Sequence, residues 1–380
     1  MVNKNYEDSK VSEKKVGIIT FHHTSNYGAT LQAYALWKYI DSLGYNVEII
    51  DYRPLKAVWH YLKDIFPIRR LSASEKKFKI NSFFIGQIIK SIKMRLFLKS
   101  KMKLSQKTFY QRSQLLSYDH QYNVAITGSD QTWCINSIRD FDTSFFLDFI
   151  NGENTCKISY APSFGTTKNL GDNHTKIVSL LQDYKMISVR DSNGIKILNS
   201  LGVDHVKKVL DPTFLIDYID YTDLLEQPKY KNKYILMYNH HGIVNTNGKK
   251  LVKKLVEKQD LEIISLGNPT ASMTDKNFVG ISVPEWLGYF YNASYIITNS
   301  FHGVVFSIIF QKNFSFIPYG NTNQKVMDLL ETFDLKERLL DNQPDALDNQ
   351  QKSINYATVN NRREDLVKYS QQYLQTALNV

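Results

Sequence analysis

The sequence predicts an α/β protein of two Rossmann-like domains facing a cleft, with a basic helical insertion in the first domain. Three observations predict it. A strand, helix, strand rhythm opens the chain between Lys15 and Tyr52, the mark of a βαβ unit and hence of a parallel sheet. The same rhythm starts afresh after the polar stretch Glu226–Lys233, which contains Pro228 and reads as a linker. The length of 380 residues is large for one hydrophobic core, so two domains of ordinary size are expected.

Each element has its own local reason. KVGIITF (Lys15–Phe21) is a short β-branched apolar run of the kind that forms a buried strand. After Gly28, apolar residues recur four apart at Leu31, Ala35, Tyr39 and Leu43, and the pattern stops at Gly44, as a helix closed by a C-terminal glycine does. NVEIIDY returns to strand. VAITG, KISYAP, MISVR and HVKKVLDP read as further strands, the last two separated by a short helix at SNGIKILNSLG. In the second series the strands are YILMYN, EIISLG, FVGISV, YIITNS and NFSFIP. Helices are expected at Gly248–Gln259, through Trp286 to Ala293, from Gly303, at Asn323–Asp334 and from about Ile354 to Leu378. The expected division is a disordered tail at 1–14, a first domain at 15–225 with its insertion at 56–118, a second domain at 226–345, and a C-terminal helix at 346–380.

Charge is concentrated. Between Lys63 and Lys107 stand thirteen Lys/Arg against two acids, Asp64 and Glu75, whereas the whole chain carries a net +10. Interleaved with them are Phe83, Phe84, Ile88, Ile89, Ile92, Leu96 and Phe97, many of which helical spacing places on one face. Three readings stay open for this segment: a solvated insertion packed on its domain, an interfacial helix drawn to anionic lipid, or a nucleic-acid surface. No recognised nucleic-acid module accompanies the charge, so nucleic acid is not expected as a partner.

Several function classes are excluded. Cys134 and Cys156 have neither CxxC nor metal-ligand spacing, which argues against a disulfide framework and against zinc. The polar first fifteen residues lack the apolar core of a secretory signal, and no segment has the roughly 18 uninterrupted apolar residues of a membrane span. The chain reads as cytoplasmic. GIVNTNGKK (Gly242–Lys250) resembles a phosphate-binding loop, but Lys250 stands where a magnesium-binding Ser or Thr belongs. GxGxxG, HExxH and GxSxG are all absent. The pairs His22–His23 and His240–His241 are adjacent, so in a strand their side chains point to opposite faces and cannot chelate one metal. No metal is expected.

In a parallel α/β sheet the ligand lies beyond the carboxyl ends of the strands. The residues found there are His22, His23, Asn26, Tyr27 and Gly28; Gly128 to Gln131; Ser163 to Gly165; Arg190 and Asp191; Asp211; Asn239 to His241; and Asn299, Ser300, His302 and Gly303. They are rich in hydrogen-bonding groups and poor in apolar ones. TNSFHG (Thr298–Gly303) joins a strand to a helix, and such a turn aims backbone N–H groups and the positive helix end at an anion. Arg190 brings a fork suited to carboxylate or phosphate. Taken alone, Ser300 is equally an N-cap, His302 a satisfied core histidine and Arg190 a partner of Asp191 or another acid, whereas a lone Asp130 reads first as an Asx turn.

The segments VGIITFHHTSNYGATLQAYALWKYIDSLGYNVEIIDYRP, GSDQTW, FFLDF, ISYAPSFG, SVRD, LDPTFL and ITNSFHGVVFSIIF, in that order from about Lys15 to Pro318, resemble the polysaccharide pyruvyl transferase family. The resemblance implies a GT-B-like fold and transfer of the enolpyruvyl moiety of phosphoenolpyruvate onto two hydroxyls of a sugar as a ketal, with release of phosphate. Phosphoenolpyruvate is then a co-substrate and no further cofactor is implied. The acceptor is a sugar of a surface polysaccharide or of its lipid-linked precursor, which makes peripheral contact at the inner face of the membrane an expectation. Arg190 matches the family's donor-binding arginine and His302 its donor-motif histidine, with Asn299, Ser300 and Gly303 beside it. Two departures stand out: Ser300 where some members carry Arg, and Cys134 where Asn is usual.

The chemistry then suggests His302, Asp130 and His23 as catalytic groups, and the first-domain residues His22, Asn26, Tyr27, Gly28 and Ser163 on the acceptor side. A GT-B glycosyltransferase using a nucleotide sugar and a non-catalytic sugar- or phosphate-binding protein are the alternative readings.

Overall fold

A computed structural model describes residues 12–59, 76–137, 140–151, 154–239, 246–259, 261–267, 274–318, 323–343 and 345–380. His240, His241, the first residues of GIVNTNGKK, the expected tail up to residue 11 and residues 60–75 of the basic segment lie outside these.

Two parallel sheets carry the fold. The first contains β1 (Ser12–Ile19), β2 (Tyr45–Ile49), β3 (Val124–Thr127), β4 (Cys156–Ser159), β5 (Tyr184–Val189) and β6 (Val206–Lys208), in the order β2-β1-β3-β4-β5-β6. The second contains β7 (Tyr234–Tyr238), β8 (Glu262–Leu266), β9 (Lys276–Phe278), β10 (Tyr295–Thr298) and β11 (Phe314–Phe316), in the order β11-β10-β7-β8-β9. The central strands β3, β7 and β10 are buried along their whole length, which is why they read as unbroken apolar runs rather than alternating ones.

The helices of the first half are α1 (Tyr27–Ser42), α2 (Lys76–Lys101), α3 (Arg112–Leu116), α4 (His174–Leu181), α5 (Ser192–Ser200) and α6 (Tyr218–Leu224). Those of the second are α7 (Thr246–Gln259), α8 (Val283–Asn292), α9 (Phe301–Ile309), α10 (Gln324–Thr332), α11 (Ala346–Asn349) and α12 (Tyr356–Leu378). Alternating helices and parallel strands make each half Rossmann-like. α12 returns to the first half: the Tyr373 hydroxyl donates to Ser159 O at 3.1 Å, and the Leu210 N–H donates to Ser370 Oγ at 3.0 Å.

The structure departs from the sequence reading in three places. β1 starts at Ser12, paired with Tyr45, so the expected tail is shorter than fourteen residues. FVGISV is strand only up to Phe278. Gly280 then turns with φ +80°, and Ser282 starts α8 through a capping box with Glu285. The basic helix α2 has two apolar faces, not one. Met94, Phe97 and Leu98 are buried in the core, whereas Ile92 and Leu96 are exposed. α2 also spans both halves, because Lys90 lies 4.3 Å from the centre of the Tyr27 ring and Lys93 pairs with Glu285 at 2.7 Å.

The chain between the two sheets runs across α8, where the Glu226 N–H donates to Pro284 O at 3.0 Å and Gly288 lies directly beneath it. A Cβ added to Gly288 would stand 1.9 Å from the Glu226 carbonyl oxygen. Gly288→Ala therefore overpacks a backbone contact, and we expect it to lower stability by about 1–3 kcal/mol. The urea midpoint checks this, and a variant as stable as the parent would show that the connection moves freely.

Candidate active site

The site begins with a buried guanidinium. Arg190 follows β5 and is 5% exposed. Its Nη1 donates to Asp211 Oδ2 at 2.9 Å, its Nη2 is 3.8 Å from Asp130 Oδ1, and neither Nε nor Nη2 has a hydrogen-bond partner. Buried donors are nearly always paired, and here two nitrogens of one buried fork keep donor capacity that the protein itself does not use. Phe301, from the second half, lies under the guanidinium with its ring centre 4.3 Å away.

Asp211 holds this arrangement. It caps the single turn at Pro212–Phe214, accepting from the Thr213 N–H at 3.1 Å and from Thr213 Oγ1 at 2.8 Å, and Ser129 Oγ donates to it at 3.3 Å. Burial works against its charge, but His302 and Arg190 outweigh that and hold the carboxyl well below the usual carboxylate range. His302 Nε2 stands 3.8 Å from the same Asp211 oxygen that Arg190 uses and has no hydrogen-bond partner. One carboxylate of the first half thus faces cationic or proton-bearing groups from both halves.

The second half adds a cation. Lys325, on α10, is half-buried, and its ammonium is 5.7 Å from the centre of the Phe301 ring. Burial first, and then the charge of Arg190, lower its pKa from the ordinary lysine value. No carboxylate among the described residues lies within ion-pair distance of it. Beside Arg190, Asp211, Phe301 and Lys325 opens a cavity of about 220 Å³, which Asp328, Arg362 and Tyr369 also line. Phe301, which lines this cavity, is the first residue of α9.

The residues singled out in the sequence fall into two groups. Arg190, Asp130 and His302 come together, and Gly28 joins them from the first half: a Cβ added there would stand 2.1 Å from His302 Cγ. The two strand-to-helix corners therefore face each other. Most of the expected acceptor residues do something else. His22 is 1% exposed, with Nδ1 3.1 Å from Thr20 O and Nε2 2.9 Å from Asp51 Oδ1, so both ring nitrogens serve the fold. Ser163 is fully buried, donating to Asp191 and accepting from the Gly165 N–H at 3.0 Å. Tyr27 donates to Ile281 O at 2.9 Å and stacks on Trp286, joining the two halves rather than lining a pocket. Asn26 caps α1 by accepting from the Gly28 N–H at 3.0 Å.

On the donor side, α9 begins at Phe301, so His302 and Gly303 lie within its first turn rather than before it. Ser300 sits at the N-cap position but makes no capping bond through its side chain, and its N–H donates to Thr298 Oγ1 at 3.0 Å. Gly303 lets the helix abut the same threonine, whose Oγ1 lies 2.2 Å from where a Cβ would be. Asn299 stands half-buried at the end of β10. Arg190 pairs with Asp211 and not with Asp191, which caps α5 instead.

Sequence reasoning missed Lys325 and underused Asp211. Asp211 had a signal, the strand end in LDPTFL. Lys325 had none, because it lies on a helix away from every strand end.

His23 is the third expected catalytic group. It sits in a niche with Tyr52, Arg53, Ala57 and Phe145, and its Nε2 has no partner. Burial, and then the positive charge of Arg53, push its pKa down to about 3. A neutral imidazole with so low a pKa cannot serve as an acid at neutral pH, which leaves it to position a group by hydrogen bonding. The same shift has a stability consequence. The folded value lies below the ordinary imidazole value of 6.5, so the unfolded chain binds the extra proton as pH falls from there towards 3. Stability present above pH 6.5 is lost across that window, with a slope of up to about 1.4 kcal/mol per pH unit. His23→Gln should flatten the stability profile between pH 6.5 and 4, and an unchanged slope in denaturant titrations would contradict the burial of this ring.

No curated protein matches the sequence. Among solved structures the chain is similar in trace to S. aureus MnaA in complex with UDP (12% identity, 96% of this chain and 97% of that one, TM-score 0.49). It is also similar to UDP-GlcNAc 2-epimerase from Methanocaldococcus jannaschii (12%, 90% and 93%, 0.47) and to the glycosyltransferase SnogD from Streptomyces nogalater (10%, 96% and 100%, 0.41). The model of one family, polysaccharide pyruvyl transferase, matches residues 26–321, which include Gly28, Asp130, Arg190, Asp211 and His302. Over that span, more than three quarters of its length, the chain belongs to the polysaccharide pyruvyl transferase family.

Proposed function

We propose that this protein transfers pyruvate from phosphoenolpyruvate onto two hydroxyls of a sugar, forming a cyclic ketal and releasing phosphate. The sugar belongs to a surface polysaccharide or its lipid-linked precursor. The observation that carries the reading is the buried Arg190 fork with Nε and Nη2 unpartnered, close to Lys325 and His302. A small ligand with both a carboxylate and a phosphate suits two neighbouring cations of different geometry: a planar fork takes the planar group, and an ammonium takes the rounder one as a point charge.

In this reading His302 gives a proton to the methylene carbon, and C2 becomes electrophilic. The first sugar hydroxyl bonds to C2 and loses its proton, the C2–O bond to phosphate breaks with its electrons leaving on phosphate, and the second hydroxyl closes the ketal. Of the two hydroxyl protons, one replaces that given by His302 and the other leaves on phosphate. Asp130, with φ +74° and its carboxylate near Arg190, is the group that orients a hydroxyl or takes its proton. His23, half-buried at the first-half corner, stands at the rim that the acceptor crosses.

The direct test is to incubate the protein with phosphoenolpyruvate and a panel of sugars, following phosphate release and the mass of the ketal. Binding of a nucleoside diphosphate sugar without any response to phosphoenolpyruvate would instead favour a glycosyltransferase. Arg190→Lys keeps one donor for Asp211 but loses the fork, so affinity for phosphoenolpyruvate should fall by about 1.5–3 kcal/mol with the fold intact. A grossly unstable variant that still binds the donor would make Arg190 a structural residue and sink the assignment.

A further inference from the structure

The basic helix α2 carries an apolar face that the fold leaves exposed. Ile85, Ile88, Ile89, Ile92 and Leu96 are 37–60% exposed, and steps of three and four residues align them in one stripe opposite Met94 and Phe97. Fourteen large apolar side chains stand exposed among the described residues, and five of them are on this one helix. Scattered exposed apolar residues need no explanation, but a contiguous stripe marks a contact surface. The 26 residues of α2 include eight Lys/Arg and no acid. Arg95 and Lys99, each three residues beyond a stripe residue, stand exposed along its border. On the opposite edge Gly86 packs against Val279, and Lys93 is held by Glu285, so the stripe is fixed in direction.

We infer that α2 docks this protein on an anionic lipid surface. The helix lies in the plane of the headgroups, with Ile85, Ile89, Ile92 and Leu96 entering the acyl boundary and Arg95 and Lys99 on lipid phosphates. No helix among the described residues is long and apolar enough to cross a membrane, so the contact is a peripheral one. The charge pattern favours lipid over a second copy of this chain: pairing two such helices around a two-fold axis would set like charges against each other with no acid on either. α2 touches Tyr27 in the first half and Glu285 in the second, so docking sets the bilayer beside the place where the two halves meet. The inference goes beyond the proposed reaction and is tested without turnover.

The full chain is sedimented with phosphatidylcholine vesicles, with and without about one third phosphatidylserine. Binding to the anionic vesicles should be strong at low salt, fade as salt rises, and be much weaker to phosphatidylcholine alone. Ile92→Asp with Leu96→Asp should lower the partition coefficient at least about tenfold, with the melting temperature unchanged because both positions are exposed. Arg95→Glu with Lys99→Glu should weaken binding to the anionic vesicles and remove most of its salt dependence. Sedimentation unaffected by the Asp pair, or equal on neutral and anionic vesicles, would overturn the inference. So would a concentration-dependent dimer in light scattering that the Asp pair abolishes while vesicles bind nothing.

Discussion

Burying the Arg190 guanidinium at the end of β5 is tolerable because the Asp211 carboxylate lies 2.9 Å from Nη1, and much of the candidate site depends on that one pair. An isolated buried charge is very unfavourable, and a pair is acceptable when geometry and further hydrogen bonds are good. Asp211 meets those terms through Thr213 and Ser129. Fixed in this way, it orients Arg190 so that the other two guanidinium nitrogens remain unused within the fold. The same oxygen lies 3.8 Å from His302 of the second half. The carboxylate therefore holds its arginine and also stands beside the histidine of the opposite wall.

The closeness of those walls depends on small residues. Gly28 leaves room for the His302 ring, Gly303 lets α9 come down onto Thr298, and the Tyr27 hydroxyl reaches the second half at Ile281. The basic helix reinforces the junction from outside through Lys90 over Tyr27 and Lys93 on Glu285. The charge of this segment is thus partly a matter of joining the halves and partly free at the surface, a division that net charge alone does not reveal.

Much of this was legible in the sequence. Eleven short apolar runs marked the strands, and the rule that ligands sit past strand ends led to Asp130, Arg190 and His302, which the fold brings together. The rule failed where polar residues at a strand end serve the local backbone. His22 clamps onto Thr20 and Asp51, Asn26 caps a helix, and Ser163 holds a loop. A short polar side chain that satisfies its own neighbourhood looks, in sequence, the same as one facing a ligand. Lys325 shows the opposite gap, because only tertiary packing carries a helix residue from α10 to Arg190. The two faces of α2 were merged for a related reason: a helix apolar on opposite sides gives weak periodicity, and burial alone separates Phe97 from Leu96.

The central claim is that the cleft beside Arg190 is an anion site joining both halves of the molecule. A crystal structure of the protein with phosphoenolpyruvate tests it most directly. The account predicts ligand oxygens within hydrogen-bond distance of Arg190 Nε or Nη2 and of Lys325, with the Arg190–Asp211 bond retained and His302 facing the methylene carbon. A ligand bound elsewhere, with those two nitrogens still unpartnered, would contradict it.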